Sequence, residues 1–376
     1  MEKKMSKGRR IARVSPRAAL LLALAAWFAG CGDGVGRVGG DSLAVMTWNL
    51  QLLFDGVEDG TEFGEFRRAA GWTGEKYLGR LNVMAAAIAG MERPPDVVAL
   101  QEVESARVVG DLALALGYDW AHFAGIPGMA LGVGLLSRRP LEGVRAHSVH
   151  IDGDSAPRPM LEARVGGDGP PLLLLVCHWK SKRGGADATE GTRRASARIA
   201  LRRMRELAVT DPDLPVVLVG DLNVTHDEFV RGGGATMRSL MPDDPLAAEF
   251  ALGYVFGGDP GPGVSGYGLQ RDFIVVSHEK PPRARYFPDG VLALYSPWTV
   301  EKRGGSFFFR NAWETIDHFL LSPRLFDGDG WGFYDSLVLD VPPFATAEGL
   351  PNAYNPRTGR GVSDHLPLML FLRMRE

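Results

Sequence analysis

The sequence predicts an α/β fold rich in strands, and three observations carry that expectation. Continuous apolar runs such as Leu172–Val176 and Val216–Val219 are bounded by Pro or Gly, as strands covered on both faces require. Leu78, Leu81, Ala85 and Ile88 recur at spacings of three and four, the period of a helix that packs one face. Polar residues of catalytic types stand repeatedly just past the apolar runs.

In chain order, Leu43–Leu50 reads as the first strand, the helix carrying Leu78 to Ile88 follows, and Val97–Leu100 is a short buried strand. Met160–Val165, Leu172–Val176 and Val216–Val219 are further strands, with a helix from Thr189 to Leu207 between the last two. Asp187 and Glu190 are placed to cap that helix. Strands are also expected at 273–276, 306–309, 315–321, 337–341 and 366–372. Phe307-Phe308-Phe309, behind Gly304-Gly305, reads as a strand buried on both faces, with an exposed aromatic hairpin as the alternative. No linker or repeat interrupts the chain after Ser42, so residues 42–376 are expected to form one domain.

The N-terminus has a different character. A basic stretch (Lys3, Lys4, Lys7, Arg9, Arg10, Arg13, Arg17) leads into an apolar run from Ala18 to Ala29, the layout of an export signal. The run is short for a membrane span and ends in Phe28-Ala29-Gly30-Cys31, which resembles a bacterial lipobox with Cys31 as the lipidated residue. Residues 1–30 are thus expected to be a lipoprotein signal peptide and 31–41, mostly glycine, a flexible tether. Placement at the outer membrane, on its periplasmic face or at the cell surface, follows from that reading. The remaining cysteine, Cys177, has no partner once Cys31 is acylated, so no intramolecular disulfide is expected.

Removing the first thirty residues takes away seven basic and one acidic side chain, leaving 35 against 44 and a net charge of −9. A body this acidic repels polyphosphate at long range, which counts against any function resting on a globally basic face. One segment reverses the sign locally: residues 180–205 carry nine Lys or Arg against Asp187 and Glu190, with Glu206 just beyond. Lys180, Arg183 and Arg193 are its candidates for substrate phosphates, and the rest reads as a solvated helix face. Arg158, stiffened between Pro157 and Pro159, is a further candidate phosphate contact.

The polar residues at the strand ends are Asn49, Gln101-Glu102, His178, Asp221-Leu222-Asn223, Asp317 and Ser363-Asp364-His365. Strand ends facing one way would gather them into one site. Its hard oxygen donors suit Mg²⁺ or Mn²⁺, with Ca²⁺ as a further candidate, better than a thiol-rich or all-histidine zinc site. Such chemistry favours phosphate esters. His318 alternates with Asp317 along a strand and is expected to pack elsewhere.

Thr47-Trp48-Asn49, Leu100-Gln101-Glu102, His178-Trp179-Lys180-Ser181, Gly220-Asp221-Leu222-Asn223, Ile316-Asp317-His318 and Ser363-Asp364-His365 together resemble the endonuclease/exonuclease/phosphatase superfamily, over about residues 43–373. The resemblance implies a DNase I-like four-layer α/β sandwich, two facing mixed sheets with helices outside and the site at one edge. It implies Glu102 as the principal metal ligand with Asn49 and Asp364 nearby, and Asp221 as the group that orients or deprotonates the attacking water. Asn223 would hold that water or the phosphate, His178 and His365 would contact the phosphate, and Asp317 would buttress His365. Gln51 stands where some DNA-repair relatives have an acidic residue, which argues against a second tightly held metal.

The expected function is a metal-dependent phosphodiesterase acting on nucleic acid outside the cytoplasm, as a monomer held to the membrane through its N-terminal lipid. A sphingomyelinase-like or inositol-phosphatase-like hydrolase is the alternative, favoured by the acidic charge and the tether. A surface lipoprotein that only binds a partner is the third reading, opposed by the intact catalytic set.

Overall fold

Side chains alternate along each strand, so every strand offers one face to each of two layers. The computed structural model describes residues 42–149, 151, 158–167, 169–256, 269–299 and 304–375, and residues Gly40–Glu376 form one compact unit. The expected signal peptide, the tether, Cys31 and Pro157 lie outside the described residues. Among the described residues no helix is long and apolar enough to cross a membrane.

The first sheet contains β1 (Ser42–Leu53), β2 (Val97–Val103), β3 (Trp120–Ala124), β4 (Gly132–Ser137), β15 (Gly330–Val338) and β16 (Leu368–Arg375), in the order β15-β16-β1-β2-β4-β3. The second contains β5 (Leu141–His147), β6 (Met160–Val165), β7 (Leu172–His178), β8 (Val216–Asp221), β9 (Leu240–Pro242), β10 (Ile274–Ser277), β11 (Ala293–Tyr295) and β14 (Asp317–Leu321). Its order is β5-β6-β7-β8-β14-β11-β10-β9. Both sheets are mixed: β1 runs parallel to β2 and antiparallel to β16, and β8 runs parallel to β7 and antiparallel to β14.

Leu43 and Val45 of β1, Val97 and Ala99 of β2, Leu172, Leu174 and Val176 of β7, and Val217 and Val219 of β8 share one buried cluster, the core between the sheets. The opposite parity of the first sheet (Ala44, Met46, Trp48, Val98, Leu100) packs on helices α1 (Gly74–Ala89) and α2 (Ala106–Leu116). The opposite parity of the second (Leu173, Leu175, Cys177, Val216, Leu218) packs on α3 (Glu190–Thr210). The result is the four-layer α/β sandwich. A one-turn helix α4 (Glu228–Arg231) and α5 (Pro245–Phe256) lie between β8 and β10. Cys177 is a free buried thiol, its pKa pushed up to about 12 by burial.

Several sequence expectations need correction. Leu78 is 53 % exposed, whereas Leu81, Ala85 and Ile88 are buried as anticipated; Tyr77, not Leu78, opens the buried face of α1, which Met84 also joins. Asp187 does not cap α3 but pairs with Arg238, while Glu190 binds Arg193 and accepts from Ser239 N. Phe307–Phe309 is not a strand buried on both faces: it is β12, which forms a two-stranded hairpin with β13 (Ala312–Glu314) and touches the rest of the fold through an antiparallel bridge from Phe307 to His365, and Phe309 is 48 % exposed. Arg310 and Asn311 at the tip have φ of +50° and +64°, the left-handed pair that a tight two-residue hairpin turn demands.

Candidate active site

The interior parity of the strands does not stop at the sheet edge; it turns polar there. Leu43, Val45 and Thr47 are followed on the same face of β1 by Asn49, Leu172, Leu174 and Val176 of β7 by His178, and Val217 and Val219 of β8 by Asp221. Asp317 enters on β14 directly opposite Asp221, and His178 is paired with Asp221 across the parallel β7–β8 ladder. The site is thus the polar end of the inter-sheet core. Its apolar floor is what desolvates the groups above it.

Glu102 breaks the parity and is brought in by local distortion. It sits where the register of β2 shifts and its φ is +61°, a left-handed conformation that costs a non-glycine residue of order 1 kcal/mol or more. Gln51 and Leu52, at the end of β1, have φ of +50° and +63°, and Asn223 has +53°. Of the six described non-glycine residues with positive φ, four therefore surround this cleft and the other two form the hairpin tip beside it. Gly220 completes the set: at φ +130° a Cβ would stand 2.1 Å from the Cys177 carbonyl, so only glycine lets β8 deliver Asp221 at this spacing.

Asp221 is fixed from both sides, accepting from Asn49 Nδ2 and from Asn223 N at 2.9 Å each. Asn223 Nδ2 donates to the Trp179 carbonyl at 3.2 Å. His178 Nε2 lies 3.6 Å from Asp221 Oδ2 and 3.8 Å from Glu102 Oε1. Glu102 Oε2 accepts from Leu52 N at 2.9 Å, and Asn49 Oδ1 accepts from Gln51 N at 2.9 Å. His365 Nδ1 and Asp317 Oδ2 are 2.8 Å apart, and Ser306 Oγ donates to the same carboxylate oxygen at 2.6 Å. Trp48 Nε1 donates to the His365 carbonyl, and Ser363 Oγ donates to the Asn49 carbonyl, tying the 363–365 segment to β1.

Electrostatics give the two histidines opposite characters. Burial alone would lower the pKa of His365, but the charge of Asp317 and its hydrogen bond override it and push it up to about 10. His178 is held well below the ordinary imidazole value by burial, and then by the positive charges of Arg158 and His365. One ring is an imidazolium at neutral pH and the other a neutral imidazole. The Asp221 carboxyl is raised by burial and by the negative charge of Asp317. Glu102 is raised by burial and by the charge of Asp364.

Of the anticipated site residues, Asn49, Glu102, His178, Asp221, Asn223, Asp317, Asp364 and His365 share this cleft. Arg158 joins them: desolvation lowers its pKa while the charges of Glu102 and Asp221 raise it, so its guanidinium is buried within electrostatic reach of both carboxylates. Lys180 and Arg183 are exposed just past His178. Arg193 is the exception. It is fully buried and donates to Glu190, Thr189 and the carbonyls of Lys180 and Ala186, so it braces the start of α3 and cannot reach a substrate. His318 packs away from the cleft as expected, its Nε2 2.8 Å from the Val224 carbonyl. Gln51 is no ligand either: its amide bridges to the backbone of Tyr354 at both ends.

Oxygens of Asp221 and Asp317 and a ring nitrogen of His365 lie within 4.8 Å of one another, but His365 Nδ1 is already committed to Asp317, so this cluster is an ion-paired triad. The fit for a divalent cation lies beside it. Glu102, held by one backbone N–H and raised by burial and then by the Asp364 charge, lies beside the Asn49 side-chain amide and within electrostatic reach of Asp364, a hard oxygen set suited to Mg²⁺ or Mn²⁺.

Sequence reasoning missed Arg80. Buried at 3 % exposure, it donates to the carbonyls of Leu50 (2.6 Å), Gln51 (2.7 Å) and Leu52 (2.9 Å), and its guanidinium stacks 3.9 Å from the centre of the Tyr354 ring. It therefore clamps the left-handed turn whose N–H groups orient Asn49 and Glu102. The available signal was an arginine on the buried face of α1, beside Tyr77, Leu81 and Met84.

The chain belongs to the endonuclease/exonuclease/phosphatase family, whose model matches residues 46–365. Members are divalent-metal-dependent, and the chain is a hydrolase of phosphoester bonds. Truncated TDP2 from Caenorhabditis elegans superimposes with a TM-score of 0.51 at 14% identity, covering 90% of this chain and 100% of that one. TDP2 from D. rerio in complex with a single-strand DNA product gives 0.51 at 15% identity, covering 89% and 99%. At such identities the likeness concerns the fold alone. No curated protein matches the chain in sequence.

Two outcomes follow from the geometry. Arg80→Lys, unable to bridge three carbonyls, is expected to weaken the half-saturating Mg²⁺ or Mn²⁺ concentration for hydrolysis by about 10- to 100-fold while the folded signal in circular dichroism persists; an unchanged metal titration would show that the clamp does not position the ligands. Asp317 raises both His365 and Asp221, so Asp317→Asn is expected to slide both limbs of the pH–rate profile toward lower pH, because each group loses its proton more readily without that charge. A profile reduced in height at an unmoved position would mean that Asp317 acts only as a structural support.

Proposed function

We propose that this phosphoester hydrolase is an extracytoplasmic phosphodiesterase whose substrate is nucleic acid, DNA or RNA. The observation that carries the reading is a stair of rings leading out of the cleft. Phe307 stacks on His365 with ring centres 4.6 Å apart and planes at 28°, and Phe309 stacks on Phe307 at 6.0 Å and 15°. A flat aromatic ladder that starts on the histidine facing the phosphate is a platform for the bases flanking the scissile bond, and stacking serves every base alike. The exposed Lys180 and Arg183 supply local positive charge for backbone phosphates on an otherwise acidic body. The fold neighbour crystallised with a single-strand DNA product supports the same substrate class.

In this proposal Asp221 takes the proton of the attacking water, a role its raised pKa suits, and Asn49 and Asn223 N hold the carboxylate in place for it. Asn223, with one amide hydrogen on the Trp179 carbonyl, keeps the other for the water or the phosphate. His365 as imidazolium and Arg158 as guanidinium neutralise charge that builds on the phosphoryl oxygens, and neutral His178 donates a single N–H there. Glu102, Asp364 and Asn49 would hold Mg²⁺ or Mn²⁺, which when bound supplies further charge neutralisation at the phosphate. Asp317 and Ser306 keep His365 charged and correctly turned.

A second reading, hydrolysis of a lipid phosphoester such as sphingomyelin or of an inositol phosphate, is favoured by one observation. Phe309 is exposed at the hairpin tip with Arg310 5.1 Å from its ring centre, a pairing that also suits a membrane interface. We further propose that residues 1–30 direct export, that Cys31 carries the lipid, that 31–41 form the tether and 42–376 the catalytic domain, and that the protein works as a monomer at the outer membrane. The basic-then-apolar layout ending in Ala29-Gly30-Cys31 supports this.

Purified protein is expected to cut single-stranded DNA or RNA with Mg²⁺ or Mn²⁺ and not in EDTA, and Asp221→Ala to lower turnover about 10³-fold. Phe309→Ala should raise KM for the polymer and leave bis-p-nitrophenyl phosphate hydrolysis unchanged. Release of phosphocholine from sphingomyelin vesicles without nucleic-acid cleavage would replace this reading with the lipid one. For the anchor, Cys31→Ser should shift the protein from the membrane to the soluble fraction; retention in the membrane would rule out acylation at that residue as the tether.

A further inference from the structure

A second acidic cluster lies outside the catalytic cleft, in the loop that leaves β1 and at the position two residues past Glu102. Carboxylate oxygens of Asp59, Glu62 and Glu104 lie within 4.8 Å of one another. Glu62 is buried and Glu104 is 9 % exposed. Each is oriented by backbone N–H groups: Glu62 accepts from Asp59 N and Gly60 N, Glu104 Oε2 from Asp55 N, and Asp59 Oδ1 from Thr61 N. The independent observation is Glu104 Oε1, an atom shut off from solvent that accepts no hydrogen bond among the described residues, on a carboxyl group that belongs to the cluster and whose other oxygen is held by Asp55 N. A buried carboxylate oxygen without a donor costs free energy unless a cation meets it. Two arginines stand beside the loop: Arg67 Nε donates to the Glu62 backbone carbonyl at 3.0 Å and Arg107 lies 3.6 Å from Asp55, and among the described residues neither forms an ion pair with the three clustered carboxylates.

We propose that Asp59, Glu62 and Glu104 form a structural divalent-cation site, with Ca²⁺ as its ion. Mg²⁺ dehydrates reluctantly and keeps several waters, whereas Ca²⁺ accepts a site built from directly coordinating carboxylates. The loop is packed for such a role. Trp72 Nε1 donates to the Asp55 carbonyl, and Gly56 passes so near α1 that a Cβ would stand 2.3 Å from Gly74 Cα. Glu104 N donates to the Leu53 carbonyl at 3.2 Å, so an ion here ties the exit of β1 to the exit of β2, the two segments that carry Asn49 and Glu102. This site stands apart from the catalytic assignment and does not depend on it.

The experiment is calorimetric titration of Ca²⁺ into the full chain carrying Glu102→Gln and Asp364→Asn, which removes the carboxylates of the catalytic cleft, with Tb³⁺ luminescence sensitised by Trp72 as a second readout. About one Ca²⁺ per chain is expected to remain, and Glu62→Gln to abolish it. Asp59→Asn, on an exposed residue whose contact with Thr61 an amide preserves, should weaken binding at least tenfold, and it carries the test if Glu62→Gln does not fold. Ca²⁺ should displace Tb³⁺, and Trp72→Phe should extinguish the luminescence while the calorimetric binding stays. Absence of Ca²⁺ binding in the doubly substituted chain, or binding indifferent to both Glu62→Gln and Asp59→Asn, would overturn the proposal.

Discussion

The arrangement depends on one constraint: the faces of β1, β7 and β8 that form the inter-sheet core keep their parity to the sheet edge, where the next inward position in each is polar. Asn49, His178 and Asp221 are the last members of series that begin with Leu43, Leu172 and Val217. Packing that needs two apolar sheets in register therefore also sets the relative positions of the polar groups. It sets their environment as well, because the same floor that excludes water raises the carboxyls of Asp221 and Glu102. Carboxylates concentrated in this way require positive charge, and the protein provides it from several elements: His365 before β16, Arg158 before β6, and Arg80 from α1.

Sorting of charge follows from those placements. His365 is locked to Asp317 and stays protonated, whereas His178, equally buried but facing Arg158 and His365, stays neutral. Two residues of one type thus acquire different tasks by their neighbours alone. Backbone conformation contributes the remaining precision. The left-handed residues Gln51, Leu52, Glu102 and Asn223 turn side chains or N–H groups toward the cleft that regular strands would send elsewhere, and Arg80 holds the first two of them through three carbonyls.

Much of this was legible in the sequence for a physical reason. Apolar runs covered on both faces, such as Leu172–Val176, leave no ambiguity about burial, and Met160–Val165 emerged with its boundaries unchanged. The polar residues past those runs identified the cleft because strand ends in one sandwich converge. What was not legible depended on contacts distant in sequence. Nothing local shows that Arg193 turns inward to Glu190 and Ala186, or that Arg80 reaches under β1. A run of three phenylalanines looks like core until the glycines before it and the Arg310-Asn311 turn after it lift it off as a hairpin. β4 and β5, with α2 and α5, went unread: β4 pairs with its neighbour β3 and, across the intervening α2, with β2, and is buried throughout, whereas β5 is mostly exposed, so neither shows a clean period.

The central claim is that burial and partners hold one cleft histidine as imidazolium and the other as neutral imidazole. Its most direct test is ¹⁵N NMR of the histidine side chains at pH 8, with His178→Gln and His365→Gln used for assignment. The account predicts one doubly protonated ring that persists at this pH and disappears in His365→Gln, and a neutral ring that disappears in His178→Gln. A neutral His365 at pH 8, or a charged His178, would contradict it.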